Sequence, residues 1–148
     1  PPRSTLFPYT TLFRSTGKTT QADLWTRYRN TRTINGDRTL LKKQKDRWFA
    51  YGWPICGSSE ICVNEVLPVR AIVMLCQAKK NQIRQLHGFE AAKKVFAQLM
   101  VNNWNRSYQE KAMDLLSELL KEILVVELAC DISEQAVTCL EEYLENRW

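Results

Sequence analysis

The sequence predicts an α/β domain, a mixed sheet with flanking helices, and three observations carry that prediction. Ala71–Cys76 is an unbroken apolar run of strand length, suited to a strand covered on both faces. The last third of the chain turns to helical spacing, with Phe89, Ala92, Val95, Phe96, Leu99 and Met100 forming one stripe and Met113, Leu116, Leu119, Leu120 and Ile123 a second. Between residues 33 and 66, short apolar segments alternate with turn residues, the pattern of small paired strands.

Taken in order, Ala22, Trp25 and Tyr28 recur every third position beside Leu24, which predicts a helix over Thr19–Tyr28 resting one face on a sheet. Thr33–Asn35 reads as a short strand ending at Gly36-Asp37. Thr39–Leu41 and Trp48–Tyr51 flank the polar run Lys42–Arg47 and predict two antiparallel strands joined by a charged turn. Two glycines, a proline and two serines make residues 52–59 a loop, and Ile61–Val66 can form a further strand. Gln82–Leu86 is expected to pair beside Ala71–Cys76 across the turn Lys79-Lys80-Asn81. Ser107-Tyr108-Gln109-Glu110 has capping-box spacing, Val125–Leu128 is strand-like, and Ser133 is placed to cap a final helix through Val137, Leu140 and Leu144. Trp25, Trp48, Trp53 and Trp104 are expected in the core or packed under loops.

Composition narrows the function classes. At 148 residues, 45% hydrophobic and 25% charged, the chain reads as one ordinary globular domain. The formal charge is +5, of which Arg3 and Arg14 contribute two, leaving +3 from Thr16 onward. Basic residues gather between Arg27 and Arg47 but are interrupted by apolar strand residues, so a solvated polar surface is expected and nucleic acid is not. Five scattered cysteines without a C-x-x-C pair, and the single His87, give no zinc pattern and suit a reducing, cytoplasmic compartment. The longest apolar runs are too short to cross a bilayer, so no membrane partner is expected.

The N-terminal region holds a seam. Thr5–Ser15 matches the translation of a common short-read sequencing adapter, so residues 1–15 are expected to be a non-native tail and residues 16–148 the domain proper. Directly after it, Gly17-Lys18-Thr19-Thr20 reads as the back half of a phosphate-binding loop. In such loops backbone N–H groups at a helix start hold phosphate oxygens, a lysine neutralises the outer phosphates, and the next hydroxyl meets magnesium. The first glycine of that loop is expected five residues before Gly17, where Leu12 stands. Asp37, at a strand end, is a second candidate: it can reach a nucleotide's magnesium, or serve as the turn aspartate of Asn35-Gly36-Asp37. Arg38 can hold that carboxylate or a phosphate, and the loop around Ser58 and Ser59 can contact a phosphate or an acceptor. Cys56 has no local basic partner and reads as inert, and His87 reads as a surface or capping residue.

Gly17-Lys18-Thr19-Thr20, the following helix, Ile34-Asn35-Gly36-Asp37-Arg38 and Trp48-Phe49-Ala50-Tyr51-Gly52-x-Pro54 together resemble the P-loop kinase fold shared by HPr kinase/phosphorylase and the phosphoenolpyruvate carboxykinases. The likeness is greatest to small bacterial proteins described as HPr-kinase-like or carboxykinase-like, and it implies a P-loop nucleotide-binding fold incomplete at its N-terminus. It further implies ATP and Mg2+ as cofactors, Gly17, Lys18, Thr19 and Thr20 on the phosphates, Thr19 and Asp37 on the metal, and Asp37 as a catalytic carboxylate. A protein or peptide acceptor is the implied partner. In the kinase, two adjacent aspartates precede the arginine; here Gly36 stands where the general base belongs. With Leu12 also in place of the loop glycine, the chain as written is expected to bind ATP weakly or not at all. Two other readings stand beside this one: a non-catalytic partner- or peptide-binding module with a vestigial loop, and an α/β domain in which Gly17-Lys18-Thr19 is fortuitous.

Overall fold

The computed structural model describes residues 17–54, 57–101 and 104–147. Helix α1 (Lys18–Arg29) starts from Gly17, whose φ of 88° is left-handed, and its first bond runs from the Gln21 N–H to the Gly17 carbonyl at 2.8 Å. It stops at Asn30, also left-handed, whose N–H returns to the Thr26 carbonyl. Arg27 and Arg29 in the last turn suit the negative end of the helix. The buried face is Gln21 and Trp25, with Leu24 and Tyr28 at its margins.

A three-stranded antiparallel sheet follows, from β1 (Leu40–Gln44), β2 (Arg47–Tyr51) and β3 (Val66–Pro68), in that order across the sheet. The charged turn expected over Lys42–Arg47 shrinks to Lys45-Asp46, with Lys45 at a φ of 53°, because Lys42–Gln44 and Arg47 pair in the hairpin itself. Trp48 and Ala50 alternate inward on β2, as the period of a strand requires. The expected strands at Thr33–Asn35 and Ile61–Val66 reduce to a single antiparallel bridge, Asn35 to Cys62. Only Val66 of the second segment enters a ladder.

The second sheet is built from β4 (Ala71–Gln77), β5 (Gln82–Gln85) and, much later in the chain, β6 (Leu124–Cys130). Two helices, α2 (Gly88–Phe96) and α3 (Arg106–Glu122), separate β5 from β6, and α4 (Glu134–Glu145) follows. The spatial order is β4-β6-β5, with β6 parallel to β4 and antiparallel to β5. The single mixed sheet expected from the sequence is therefore two small sheets, and β5 pairs with β6 rather than with β4. The β6 run takes the central position because both of its faces are apolar enough to be covered.

That coverage divides the core by strand period. Val126, Leu128 and Cys130 face α1 and α4, joining Trp25, Ala136, Val137 and Leu140. Val125 and Ile72 face the other way, against Ala91, Val95, Leu116, Leu119 and the Trp48 side of the first sheet. Leu128 and Val126 are wholly buried, each contributing roughly 1.5–3 kcal/mol of burial free energy.

The helices form where expected but with corrected faces and caps. On α2 the buried residues are Ala91 and Val95, whereas Phe89 is 83% exposed, so the stripe is rotated away from the one expected. Met100 and Met113 are exposed as well, and Trp104 is 87% exposed rather than packed. The α3 cap is Asn105, whose Oδ1 accepts the N–H groups of Ser107 and Tyr108; Ser107 lies inside the first turn. At α4, Ser133 occupies the cap position, but its hydroxyl donates to the Asp131 carboxylate at 2.5 Å and caps no helical N–H. Among the described residues, no helix is long and apolar enough to cross a membrane.

Candidate functional site

The start of α1 lies at the carboxyl end of the parallel pair β4 and β6. Gln21 fixes it there: its side-chain amide donates to the Asp131 carbonyl at 3.1 Å and to the Cys130 sulfur at 3.3 Å, just past the end of β6. The carboxyl ends of parallel strands are where open α/β sheets bind ligands. Gly17 is required by its backbone rather than by crowding, since an added Cβ would meet nothing within 4 Å. Among the described residues, no side chain caps this helix. Thr19 and Thr20 are exposed on its first turn, and Lys18 is half-buried. Burial pushes the Lys18 ammonium below its ordinary pKa, and the nearby Asp37 carboxylate pushes partly back.

Asp37 is positioned by the residue two before it. Asn35 is buried, and its Oδ1 accepts the N–H groups of Asp37 at 2.9 Å and Arg38 at 2.8 Å, closing an Asx turn. Its amide donates to the Trp53 carbonyl at 2.7 Å. Backbone bonds from Gly36 N–H to the Ile61 carbonyl and from Val63 N–H to the Ile34 carbonyl pin the same segment from the other side. The Arg38 Nε lies 3.7 Å from the Asp37 carboxylate.

The short 3-10 turn Gly57–Ser59 closes over this segment. Gly57 has a φ of 55°, and a Cβ there would come within 2.9 Å of the Asp37 Cβ, Cγ and Oδ2. At Gly36 the crowding is greater: an added Cβ would lie 1.9 Å from the Ser59 Oγ and 2.5 Å from its Cβ. The hydroxyl of Ser59 therefore fills the space that a side chain at position 36 would need. No carboxylate can occupy position 36 while Ser59 stays where it is.

The fold thus assembles Lys18, Asp37, Arg38, Gly57 and Ser59 around one locality, with Thr19 and Thr20 on the adjoining helix turn. Ser58 lies on the 3-10 turn, its side chain outside the described residues, as are Leu12, Thr16 and Cys56. Comparison of the chain with protein-family models, with curated proteins and with solved structures finds no match. The site is accordingly read from its own chemistry.

Among the described residues, no group of three or more His, Cys, Asp or Glu side chains could enclose a metal ion. Magnesium needs no such cage, since it keeps several waters and takes one or two protein oxygens beside phosphate. The Thr19 hydroxyl and the Asp37 carboxylate are oxygen donors of the kind such a site uses. Burial pushes the Cys130 thiol up to about 11 and raises Cys139 too, which leaves these two poor nucleophiles. His87 holds the α2 cap position by backbone alone, its ring making no capping bond.

Of the residues that build the site, sequence reasoning passed over Gln21, which meets groups distant in the chain. Asn35 was legible as turn chemistry and Gly57 as part of a loop, but the contact of that loop with Asp37 was not.

Proposed function

We propose that this domain carries the lysine-and-hydroxyl half of a P-loop nucleotide site of the HPr kinase/carboxykinase type. The observation that supports it most is the placement of Lys18 at a helix start, at the carboxyl end of parallel strands and within electrostatic reach of the Asp37 carboxylate. In this reading Mg-ATP supplies the transferable phosphoryl group. Lys18 would neutralise charge on the outer phosphates, the first-turn N–H groups of α1 would orient their oxygens, and Thr19 and Asp37 would supply oxygens to the metal. Arg38 steadies the Asp37 carboxylate. The acceptor is a protein, a peptide or a small molecule.

Proton removal from an acceptor is the weak step. Gly36 supplies no base, and Ser59 closes the space for one. Leu12, where the loop glycine is expected, gives up the conformational freedom with which such loops wrap phosphate. Nucleotide binding is therefore expected to be weak in the chain as written, and phosphoryl transfer weaker still. The crowding at Gly36 favours a second reading, a non-catalytic partner-binding module that keeps a vestigial loop.

Leu12→Gly restores the spacing G-x-x-x-x-G-K-T and separates the two readings. With Mg-ATP, this variant is expected to gain thermal stability by mass action and to release phosphate slowly. If it shows neither effect, and Lys18→Ala and Asp37→Ala change nothing, the nucleotide reading fails and the module reading stands.

A further inference from the structure

Helices α2 and α3 carry a socket and a knob side by side. A cavity of about 380 Å³ opens between them. Its floor is the core itself, through Ala91, Leu116 and Val125, and its wall includes Ala92 from α2 and Met113 from α3. Phe89 stands three residues before Ala92 and Phe96 four residues after it, so both rings lie along the side of α2 that borders the cavity. Phe89 is nevertheless 83% exposed, and Phe96 and Met113 are 44% and 49% exposed. The ring and the cavity are neighbours, yet neither fills the other.

We infer that a second copy of this chain covers this face, about a two-fold axis that seats the Phe89 ring of each copy in the α2–α3 cavity of the other. An apolar cavity of about 150 Å³ already holds benzene, so the space is ample for a phenyl ring. A two-fold interface needs knob and socket on one surface of the same chain, and this surface has both. Fully exposed phenylalanines present about 150–250 Å² each, so Phe89 and Phe96 together offer roughly 250 Å². Met113 and the cavity wall bring the apolar area toward half of the roughly 800 Å² per partner in a standard interface, close to the apolar share such interfaces have. The polar remainder falls to exposed residues at the rim, among them Lys93, Ser117 and Lys121. The inference stands apart from the nucleotide reading.

Sedimentation velocity from about 1 μM to about 500 μM tests it, at the weak end of the affinities that interfaces of this area reach. The chain should pass from monomer to dimer over that range and stop there, because a two-fold contact closes on itself. Phe89→Ser removes the knob at an exposed position and should weaken dimerisation about thirtyfold or more. Ser117→Trp fills the cavity from an exposed position on α3 and should do the same. Mixed together, the two variants retain one intact pair, the ring of the second in the cavity of the first, and should form a heterodimer tighter than either homodimer. Leu115→Glu, which alters the separate cavity beside β1, should leave the dimer unchanged. Four results would overturn the assignment: a chain monomeric throughout, Phe89→Ser associating like the wild type, a mixture no tighter than its components, or dimerisation lost in Leu115→Glu.

Discussion

Replacing Gly36 by alanine puts one methyl group where the Ser59 side chain already stands. The added Cβ would lie 1.9 Å from Ser59 Oγ and 2.5 Å from Ser59 Cβ, against ordinary contact beginning at 3.4 Å. Ser59 would have to retreat by about 1.5 Å, and its 3-10 turn is constrained by Gly57 packing on Asp37. Gly36 is not in the left-handed region, so alanine suffers no backbone penalty and the cost is steric. Overpacking of this kind costs about 1–3 kcal/mol. For a chain of this length each kcal/mol lowers Tm by about 2–4 °C, giving an expected fall of about 4–8 °C at the middle of the range. Thermal melts of Gly36→Ala, Ser59→Gly and the double variant make a cycle. Ser59→Gly alone loses the acceptor for the Ile61 N–H and adds glycine entropy, yet it removes both clashing atoms. The double variant should therefore be more stable than the two single effects summed predict, by about 1 kcal/mol or more. An unchanged Tm for Gly36→Ala, or additivity within about 0.5 kcal/mol, would refute the claim that Ser59 excludes a base from position 36.

Three further outcomes follow from the same structure. Hydrogen bonds from Ser133 and Asn81 hold the Asp131 carboxyl below its ordinary pKa of 3.8, so its stabilisation is present above that value and lost as pH falls through the folded pKa. Asp131→Asn should accordingly melt below the wild type at pH 7, and the gap should start to shrink below about pH 4 and close once pH falls below the folded pKa. Iodoacetamide at pH 8 should label the exposed Cys62 and Cys76 well before Cys130, whose thiol is buried and pushed up to about 11; mass spectrometry of the digest reads the order. Leu128→Ala empties a wholly buried site on the central strand and should cost about 2–5 kcal/mol in urea unfolding.

What was legible in the sequence was what local periodicity encodes. Ala71–Cys76 forms a strand because it is a short apolar run between Arg70 and Gln77, Leu124–Cys130 is apolar except at Glu127, and α3 and α4 follow their stripes. The strand order was hidden, since β6 enters between β4 and β5 only after two helices have intervened. Phe89 and Met100 matched a helical stripe by spacing, but α2 turns Ala91 and Val95 inward, and periodicity alone does not say which side finds a partner. Asn105 was overlooked because Ser107 and Glu110 offered the familiar capping spacing, while the nearer asparagine had the better reach to two N–H groups. At the site, Lys18, Thr19 and Asp37 announced themselves through residue type and order. Their surroundings did not. The contact of Gly36 with Ser59 and the anchoring of Gln21 beyond β6 both join segments far apart in the chain.

The central claim is that Gly17-Lys18-Thr19, opposed by Asp37, forms a nucleotide phosphate site limited by what precedes it. Isothermal titration of Mg-ATP into the chain, into Leu12→Gly, and into Leu12→Gly combined with Lys18→Ala addresses it most directly. The account predicts little or no heat from the first, saturable micromolar binding by the second, and its loss in the third. A folded Leu12→Gly chain that binds no Mg-ATP, or one whose binding is indifferent to Lys18→Ala, would contradict it.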